Sequence, residues 1–338
     1  MDRHLSKTLR IGALLACAIG TASTQAAPVT GTLYYTTYNG GQNVWSIDFS
    51  YDSSTHNYSL TNNTNIASTN GADGIIFGAN GNLLIGGQSS GNVYELNRTT
   101  GALINTQNTG APNYHLTLNP SGTSVYTSSF EGSLKTLSVP IGSGSTTTAV
   151  TGGDSGVTQI AFGLGGQVFY VNGNPNGHGN LGTIDLSTGF TNRLYTDVVP
   201  AHGLIFDPFT NLITMFGDGY TGTMNASNGS GLKVSNQQFT CDFDQGAVTG
   251  TGIALVAGCG RLTLLDYTLS NDITHPDYYQ SIFVNDSIDD VAPLVGAGSC
   301  GTHCGTVPEP ATLGLFGFGI AAILASRRRR VNTSPNPR

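Results

Sequence analysis

A repeated pattern of short apolar runs and Gly/Asn turns constrains the fold of this 338-residue chain more than any other feature. Within residues 73–101, apolar runs at 75–77, 83–85 and 93–96 are separated by turn-forming Gly, Asn and Ser residues. Short β-rich runs between such turns are typical of antiparallel hairpins. Because no long stretch shows the apolar spacing of a helix, the sequence predicts an all-β fold.

The same unit recurs about every 41 to 45 residues, which is the period of a four-stranded propeller blade. The first apolar runs of successive units open at Asp73, Tyr114, Thr158, His202, Gln245 and Asp289. The first unit starts at a second-strand pattern near residue 32, whereas the last one stops after an inner strand within residues 287–295. Joining these two incomplete units would complete one blade and leave no sheet edge exposed. The sequence therefore predicts a six-bladed β-propeller closed by its N- and C-terminal strands, or a seven-bladed one if a blade has diverged beyond the alignment.

This blade pattern spans residues 31–295 and resembles that of extracellular propellers of the NHL and SMP-30-like families. The resemblance rests on the general blade pattern, so it implies the fold and no particular activity. An open β-solenoid is an alternative, but its period would be shorter, near 20 residues. We expect the propeller domain to occupy residues 27–296.

The charge of this body is strongly negative. Residues 27–306 contain 18 acidic and five basic side chains, because most Lys and Arg residues lie at the two ends of the chain. Such an excess of negative charge disfavours nucleic acid and anionic polymers as partners.

The N-terminal residues 1–26 have the three parts of a secretory signal peptide: basic residues, an apolar stretch at 11–19 and small residues before a cleavage position preceding Ala27. We therefore expect export through the inner membrane and removal of the leader by signal peptidase. An alternative is lipidation at Cys17, where the preceding residues resemble a bacterial lipobox.

The cysteines that remain after removal of this leader are even in number: Cys241, Cys259, Cys300 and Cys304. In an exported chain this predicts disulfides, and local pairing would join Cys241 to Cys259 and Cys300 to Cys304. A metal site built from Cys300, His303 and Cys304 is the alternative, but it lacks the fourth ligand of a closed zinc site.

The C-terminal segment has the most specific pattern in the chain. After a Gly/Cys linker at residues 297–306 come Val307, Pro308, Glu309 and Pro310, then an apolar stretch at 311–325. Four arginines follow it: Arg327, Arg328, Arg329 and Arg330. A basic cluster stays on the cytoplasmic side of a membrane, which predicts a cytoplasmic tail at 331–338.

The order of these three parts in residues 307–330 resembles the PEP-CTERM sorting signal of Gram-negative bacteria. The resemblance implies a transient hydrophobic membrane helix, recognition by an exosortase-type protease near the Pro-Glu-Pro motif, and release or attachment at the cell surface. It also implies an exopolysaccharide or biofilm setting. A permanent C-terminal anchor is the alternative, although the apolar stretch is shorter than a typical spanning helix.

Side chains that open the inner strands of a propeller line its channel, and ligands usually bind at one mouth of such a channel. Asp73, His202 and Asp289 are therefore candidate ligands for Ca²⁺ or another divalent metal. Three further polar residues are adjacent to them: His115, Asp244 and Asp290. A bound metal could activate water, which would make the protein a metal-dependent hydrolase or lyase.

The sequence favours a non-catalytic role over this alternative. Three blades offer Tyr, Thr and Gln at the equivalent position, and the chain has no nucleophile elbow, phosphate loop or His-Glu-x-x-His motif. We therefore expect a cell-surface or matrix protein that binds polysaccharide, ions or other proteins.

Overall fold

The computed structural model describes residues 27–38, 41–128, 130, 133–142, 144–173, 178–199, 201–236 and 242–299. These residues form six four-stranded antiparallel sheets and one short 3-10 helix, Leu164–Gly166. The inner strands of the six sheets contact one another in a closed ring. The predicted all-β, six-bladed propeller is therefore confirmed.

The strands of blades one to three, in chain order, are β1 (Val29–Thr37), β2 (Val44–Asp52) and β3 (Asn57–Ala67); β4 (Ile75–Phe77), β5 (Leu83–Gly86), β6 (Asn92–Leu96) and β7 (Leu103–Asn108); β8 (His115–Leu118), β9 (Ser124–Ser128), β10 (Lys135–Ser138) and β11 (Thr147–Thr148). The strands of blades four to six are β12 (Gln159–Phe162), β13 (Val168–Val171), β14 (Gly179–Asp185) and β15 (Phe190–Val198); β16 (Gly203–Asp207), β17 (Leu212–Gly217), β18 (Tyr220–Asn225) and β19 (Lys233–Val234); β20 (Gly246–Val248), β21 (Ile253–Gly258), β22 (Arg261–Asp266) and β23 (Tyr278–Phe283). The last strand, β24 (Ile288–Val291), is the inner strand of blade one.

Blade one is built from both ends of the chain, as the sequence predicts. Strand β24 pairs with β1, so that Val291 lies opposite Tyr35 and Ile288 lies opposite Thr37, with a register irregularity between them. The N–H of Ala292 continues the pairing by donating to the carbonyl of Tyr34 at 2.8 Å. This closure pairs the inner edge of blade one and joins the ring.

Apolar side chains between neighbouring blades form the core. Phe49 of blade one and Leu264 of blade six belong to one buried cluster, and the other blade interfaces contain similar clusters. Burial of each such side chain contributes about 1.5–3 kcal/mol to folding. Polar links join blades too: Tyr51 donates to the Asp266 carboxylate at 2.7 Å, across the interface of blades one and six.

The channel has two mouths with different surroundings. All inner strands begin at one mouth, here called the N-terminal mouth, and end at the other, the C-terminal mouth. Residues 295–299, called the strap, lie across the C-terminal mouth. Val295 packs on the apolar cluster of blades five and six, and the carbonyl of Gly298 accepts from the N–H of Phe77 in blade two at 2.7 Å. A cavity of about 370 Å³ lies beneath the strap and is lined mainly by the apolar ends of inner strands.

Several predicted features lie outside the described residues. They are the signal peptide, Cys241, Cys300, Cys304, the sorting motif and the apolar stretch at 311–325. Both disulfide pairings remain predictions for this reason. Among the described residues, no helix has the length and hydrophobicity needed to span a membrane.

Candidate metal centre

Acidic and histidine side chains meet at the N-terminal mouth because each blade supplies the residues just before or within its inner strand. Asp73 precedes β4, His115 opens β8, and Asp289 and Asp290 lie on β24. Close approach of the strands helps to gather them. A Cβ at Gly74 would lie 2.6 Å from the carbonyl oxygen of Tyr114, so only glycine fits beside blade three at this position.

Three of these residues, Asp73, His115 and Asp290, form a group that we call the inner pocket. One potential ligand atom from each lies within 4.8 Å of the others. The His115 Nε2 atom is 3.8 Å from Oδ1 of Asp290. All three side chains are buried: the residues are 7%, 1% and 0% exposed, respectively.

The orientation of His115 is fixed from behind. Its Nδ1 lies 3.0 Å from the carbonyl oxygen of Thr158, which can only accept a hydrogen bond. The proton of the neutral ring is therefore on Nδ1, and Nε2 presents its lone pair to Asp290. Burial, aided by the positive charge of His202, lowers the pKa of His115 to about 3, so this ring is neutral at physiological pH.

Several buried polar atoms of the inner pocket and of residues beside it have no hydrogen-bond partner among the described residues. They are His115 Nε2, both carboxylate oxygens of Asp290, Oδ2 of Asp289 and Oε1 of Gln245. Buried unpaired groups of this kind are costly and rare in folded proteins. Every one of these atoms can accept a hydrogen bond or bind a cation, so what they jointly lack is a positive partner, either a proton or a metal ion.

The pKa values of the carboxyl groups reflect this crowding. Burial raises the pKa of Asp73 to about 7, with the Gln88 side chain opposing the shift through a 3.0 Å hydrogen bond. Burial and then the charges of neighbouring carboxylates raise the pKa of Asp289 and Asp290 well above the ordinary value. The backbone N–H of Gln245 lies near Asp290 and partly opposes the rise of its pKa, although it does not form a hydrogen bond with this carboxyl group.

A second group, called the outer group, consists of His202, Asp242 and Asp244. The His202 Nδ1 atom lies 3.2 Å from Asp242 and 3.1 Å from Asp244, so one N–H faces two carboxylates. Burial would lower the pKa of His202, but the charges of Asp244, Asp242 and Asp73 outweigh it and raise the pKa to about 9. The outer group therefore contains its own cation, the His202 imidazolium, whereas the inner pocket has none.

An aromatic side chain lies beside both histidines. The ring centroid of Phe130 is 5.2 Å from that of His202 and 6.2 Å from that of His115, and the two imidazoles are 5.1 Å apart. Tyr114 packs on the Phe130 ring at 5.1 Å. The inner pocket and the outer group thus adjoin and share an apolar neighbour.

The structure brings the predicted Asp73 and Asp289 together, because Asp289 is within hydrogen-bonding reach of Asp73 and Asp244 when it is protonated. It places His202 in the outer group, near enough to influence the charge of Asp73. In place of His202, the inner pocket contains His115, which the sequence marks only as adjacent.

The other residues that open inner strands have different positions. The backbone of Gln245 lies near Asp290, Thr158 supplies the carbonyl that orients His115, and Tyr114 packs against Phe130. Sequence reasoning missed Asp242, which lies four residues before β20 and matches no position of the repeat. Its only sequence signal is the closely spaced pair of acids that it forms with Asp244.

Comparison with known proteins confirms the sorting signal. The family model for the PEP-CTERM protein-sorting motif matches residues 306–330. The chain therefore carries this motif, which marks an exported protein that is sorted by an exosortase and whose C-terminal anchor is processed. No curated protein matches the chain in sequence.

Solved structures resemble the propeller body. A chain in the crystal structure of a nidogen/laminin complex has a TM-score of 0.58 and 12% identity, and the match covers 78% of this chain and 97% of that one. A catalytically inactive virginiamycin B lyase from Staphylococcus aureus, determined with quinupristin, has a TM-score of 0.50 and 10% identity, covering 75% and 85%. At these identities the similarity shows the propeller fold alone.

Proposed function

We propose that this exosortase-sorted propeller has a non-catalytic binding role at the cell surface or in the extracellular matrix, and that a divalent cation in the inner pocket holds its ring closed. The observation that carries the cation is that buried lone pairs of His115 and Asp290, unpartnered among the described residues, converge with a carboxylate oxygen of Asp73. Asp290 comes from the closing strand β24, Asp73 from blade two and His115 from blade three. A cation bound by all three would link the closing strand β24 to blades two and three.

The burial of the inner pocket favours this structural role over catalysis. The three inner-pocket residues are at most 7% exposed, so a cation there would be surrounded by protein, whereas a catalytic metal keeps an open position for substrate. A ligand that binds only the folded state stabilises it by roughly 2.7 kcal/mol at 100 times its dissociation constant. We therefore expect the cation to act on stability first.

Thermal unfolding of the purified full-length protein tests this proposal. Zn²⁺ or Ca²⁺ added after EDTA treatment should raise the melting temperature by roughly 5–10 °C. The Asp290→Asn variant should lose this increase. The control is Asp197→Asn, which changes an exposed acid beside His178 and should keep it. Equal melting temperatures of the wild-type protein with EDTA and with either cation would refute the proposed cation site.

The outer strand of blade six offers a surface for the binding role. Tyr279 and Phe283 are 53% and 58% exposed. They are four residues apart on β23, so their side chains lie on the same side of the strand, about 13 Å apart at a rise of about 3.3 Å per residue. Exposed aromatic rings of this kind provide large rigid contact area, which suits the faces of sugar rings. A neutral polysaccharide fits best, because the acidic body would repel an anionic one.

Co-sedimentation with an insoluble neutral polysaccharide, with cellulose as the probe, tests this surface. Retention should fall in the double variant Tyr279→Ala, Phe283→Ala. It should persist in Leu103→Ala, which removes a similarly exposed side chain (59%) from the outer strand of blade two. Equal retention of both variants, or none of the wild type, would contradict a polysaccharide role for this strand.

A metal-dependent lyase or hydrolase is the second candidate function, and one observation favours it. His202 lies beside the inner pocket with two partly exposed carboxylates, which would place an acid–base group next to a Lewis acid. The similar fold of virginiamycin B lyase suggests quinupristin as a first probe. Cation-dependent conversion of quinupristin, detected by mass spectrometry and lost in His202→Asn, would support an enzyme; absence of conversion would remove this particular substrate.

A further inference from the structure

The kind of cation that the inner pocket selects follows from its ligand atoms, and this inference rests on the proposed cation site. The donors are one imidazole nitrogen, from His115, and carboxylate oxygens of Asp73 and Asp290. Imidazole nitrogen suits zinc and other first-row transition metals, whereas Ca²⁺ and Mg²⁺ are usually held by oxygen ligands alone. The nitrogen therefore decides the choice, provided that it is free to bind.

The contact behind His115 makes this nitrogen free. Because Nδ1 donates to the carbonyl of Thr158 at 3.0 Å, the lone pair is on Nε2. Metal-binding histidines characteristically donate their other ring N–H to a carbonyl or carboxylate, which fixes the tautomer and the ring orientation. The arrangement at His115 has this form before any metal is considered.

The surroundings of Nε2, on the other side of the His115 ring, support the same conclusion. Nε2 is fully buried and unpartnered among the described residues, and Oδ1 of Asp290 lies 3.8 Å from it. This separation is too long for a hydrogen bond. It fits two ligands of one ion, since zinc–nitrogen and zinc–oxygen bonds are about 2.0–2.2 Å each.

We propose that the inner pocket is a transition-metal site of the zinc class, formed by His115 Nε2 with Asp73 and Asp290, and that it discriminates against calcium through His115. Asp289, within hydrogen-bonding reach of Asp73, has a buried carboxylate oxygen that could complete the coordination. The outer group is not part of this site, because its His202 N–H already faces two carboxylates.

Isothermal titration of the full-length protein with Zn²⁺ and, separately, with Ca²⁺ tests the proposal. The decisive variant is His115→Gln, which exchanges the nitrogen for an amide that offers oxygen at a similar reach. Zinc affinity should fall by about 100-fold or more, since changing even an outer-shell partner typically costs about 10–100-fold, while calcium affinity should stay within about three-fold. Co²⁺ bound to the wild-type protein should give visible absorption bands that are altered in His115→Gln.

Two controls remove other zinc-binding groups. The matched variant His178→Gln makes the same change at an exposed histidine, and Cys300→Ser with Cys304→Ser removes the thiols of the linker; both should retain the high-affinity zinc site. Melting curves of His115→Gln with EDTA establish that it folds.

The outcomes separate this inference from the proposed function. Tighter binding of Ca²⁺ than of Zn²⁺ by the wild-type protein, or unchanged zinc affinity in His115→Gln, would overturn the selectivity and leave a cation site standing. Binding of neither cation would overturn the site itself. High-affinity zinc binding lost only with the cysteines would assign the zinc to the linker and overturn the inner-pocket proposal.

Discussion

The two mouths of the channel differ in chemistry although the same six strands form both. At the N-terminal mouth the strands begin with acids, histidines and amides, several of which are buried without a partner in the part of the chain that the structure describes. At the C-terminal mouth they end in apolar side chains such as Leu118 and Phe162, and the strap lies across them. The N-terminal mouth is costly for stability, whereas the C-terminal mouth is packed like an ordinary protein interior.

This difference separates the candidate cation site from the segment that carries the sorting motif. Unpaired buried polar groups persist where function requires them, so the candidate site belongs at the N-terminal mouth. The chain leaves the propeller through the strap, and the sorting motif begins at residue 306, soon after the strap ends at Ser299. The segment that leads to the membrane anchor therefore starts from the opposite mouth.

The largest expected effect is on cation affinity and is confined to the N-terminal mouth. Asp73→Ala removes a carboxylate from the inner pocket and should weaken zinc binding by about 100-fold in isothermal titration. Ala297→Ser changes an exposed strap residue and should leave binding unchanged. Equal losses in the two variants would mean that the mouths are coupled, and no loss in Asp73→Ala would exclude this carboxylate as a ligand.

The next effect is on stability and is confined to the strap. Gly298 has φ +82°, and a Cβ there would lie 3.3 Å from Cβ of Ile76, so Gly298→Ala should strain both the backbone and the packing. Thermal unfolding should show a loss of about 1–3 kcal/mol, with unchanged zinc affinity. Gly296→Ala is the control: its φ is +81°, but the added Cβ meets open space, so it should cost less. Equal costs would show that strap packing adds no stability.

A pH effect should come from the N-terminal mouth of the metal-free protein. The raised pKa of Asp73 (about 7) and of His202 (about 9) means that the folded state holds protons which the unfolded chain releases sooner. Their stabilising contributions are therefore lost as pH rises through these values. His115, whose pKa is lowered, acts in the opposite sense, but only as pH falls below about 6.5.

With EDTA, the melting temperature should accordingly fall between pH 6.5 and pH 9. Zinc should flatten this slope, because it binds deprotonated carboxylates and therefore binds more tightly as pH rises. Asp290→Asn should flatten it without zinc, since it removes one of the crowded carboxylates. A metal-free melting temperature that rises over this interval would contradict the charge arrangement described for the mouth.

The smallest effect should follow substitution in the outer group. Asp242→Asn removes one of the two carboxylates that face His202, and Asp244 remains at 3.1 Å. Zinc affinity should therefore change by less than about three-fold, within the range of indirect electrostatic effects. A loss of zinc affinity as large as that of Asp73→Ala would show that zinc binds at the outer group and not at the inner pocket.

Much of the fold could be predicted from the sequence because blade patterns are local. The period of the apolar runs, and the incomplete units at residue 32 and residues 287–295, suffice for six blades and for closure by β1 and β24. Each of these signals depends on the alternation of apolar runs and turn residues within about 40 residues, and this alternation can be read directly from the sequence.

The membership of the site could be predicted only in part, because it depends on the height of each residue along the channel. Asp73 precedes its strand, His115 opens its strand, and Asp290 lies third in a strand whose pairing with β1 is irregular. Alignment of the repeats therefore favours His202 over His115, whereas the register of β24 brings Asp290 to His115. The carbonyl of Thr158 that orients this ring comes from the backbone, and no residue pattern reveals it.

Anomalous X-ray diffraction at the zinc edge, from crystals of the protein grown with Zn²⁺, tests the central claim most directly. The cation site predicts a strong peak at about 2.0–2.2 Å from His115 Nε2 and from carboxylate oxygens of Asp73 and Asp290. A peak only at His202, Asp242 and Asp244, or no peak at the N-terminal mouth, would contradict it.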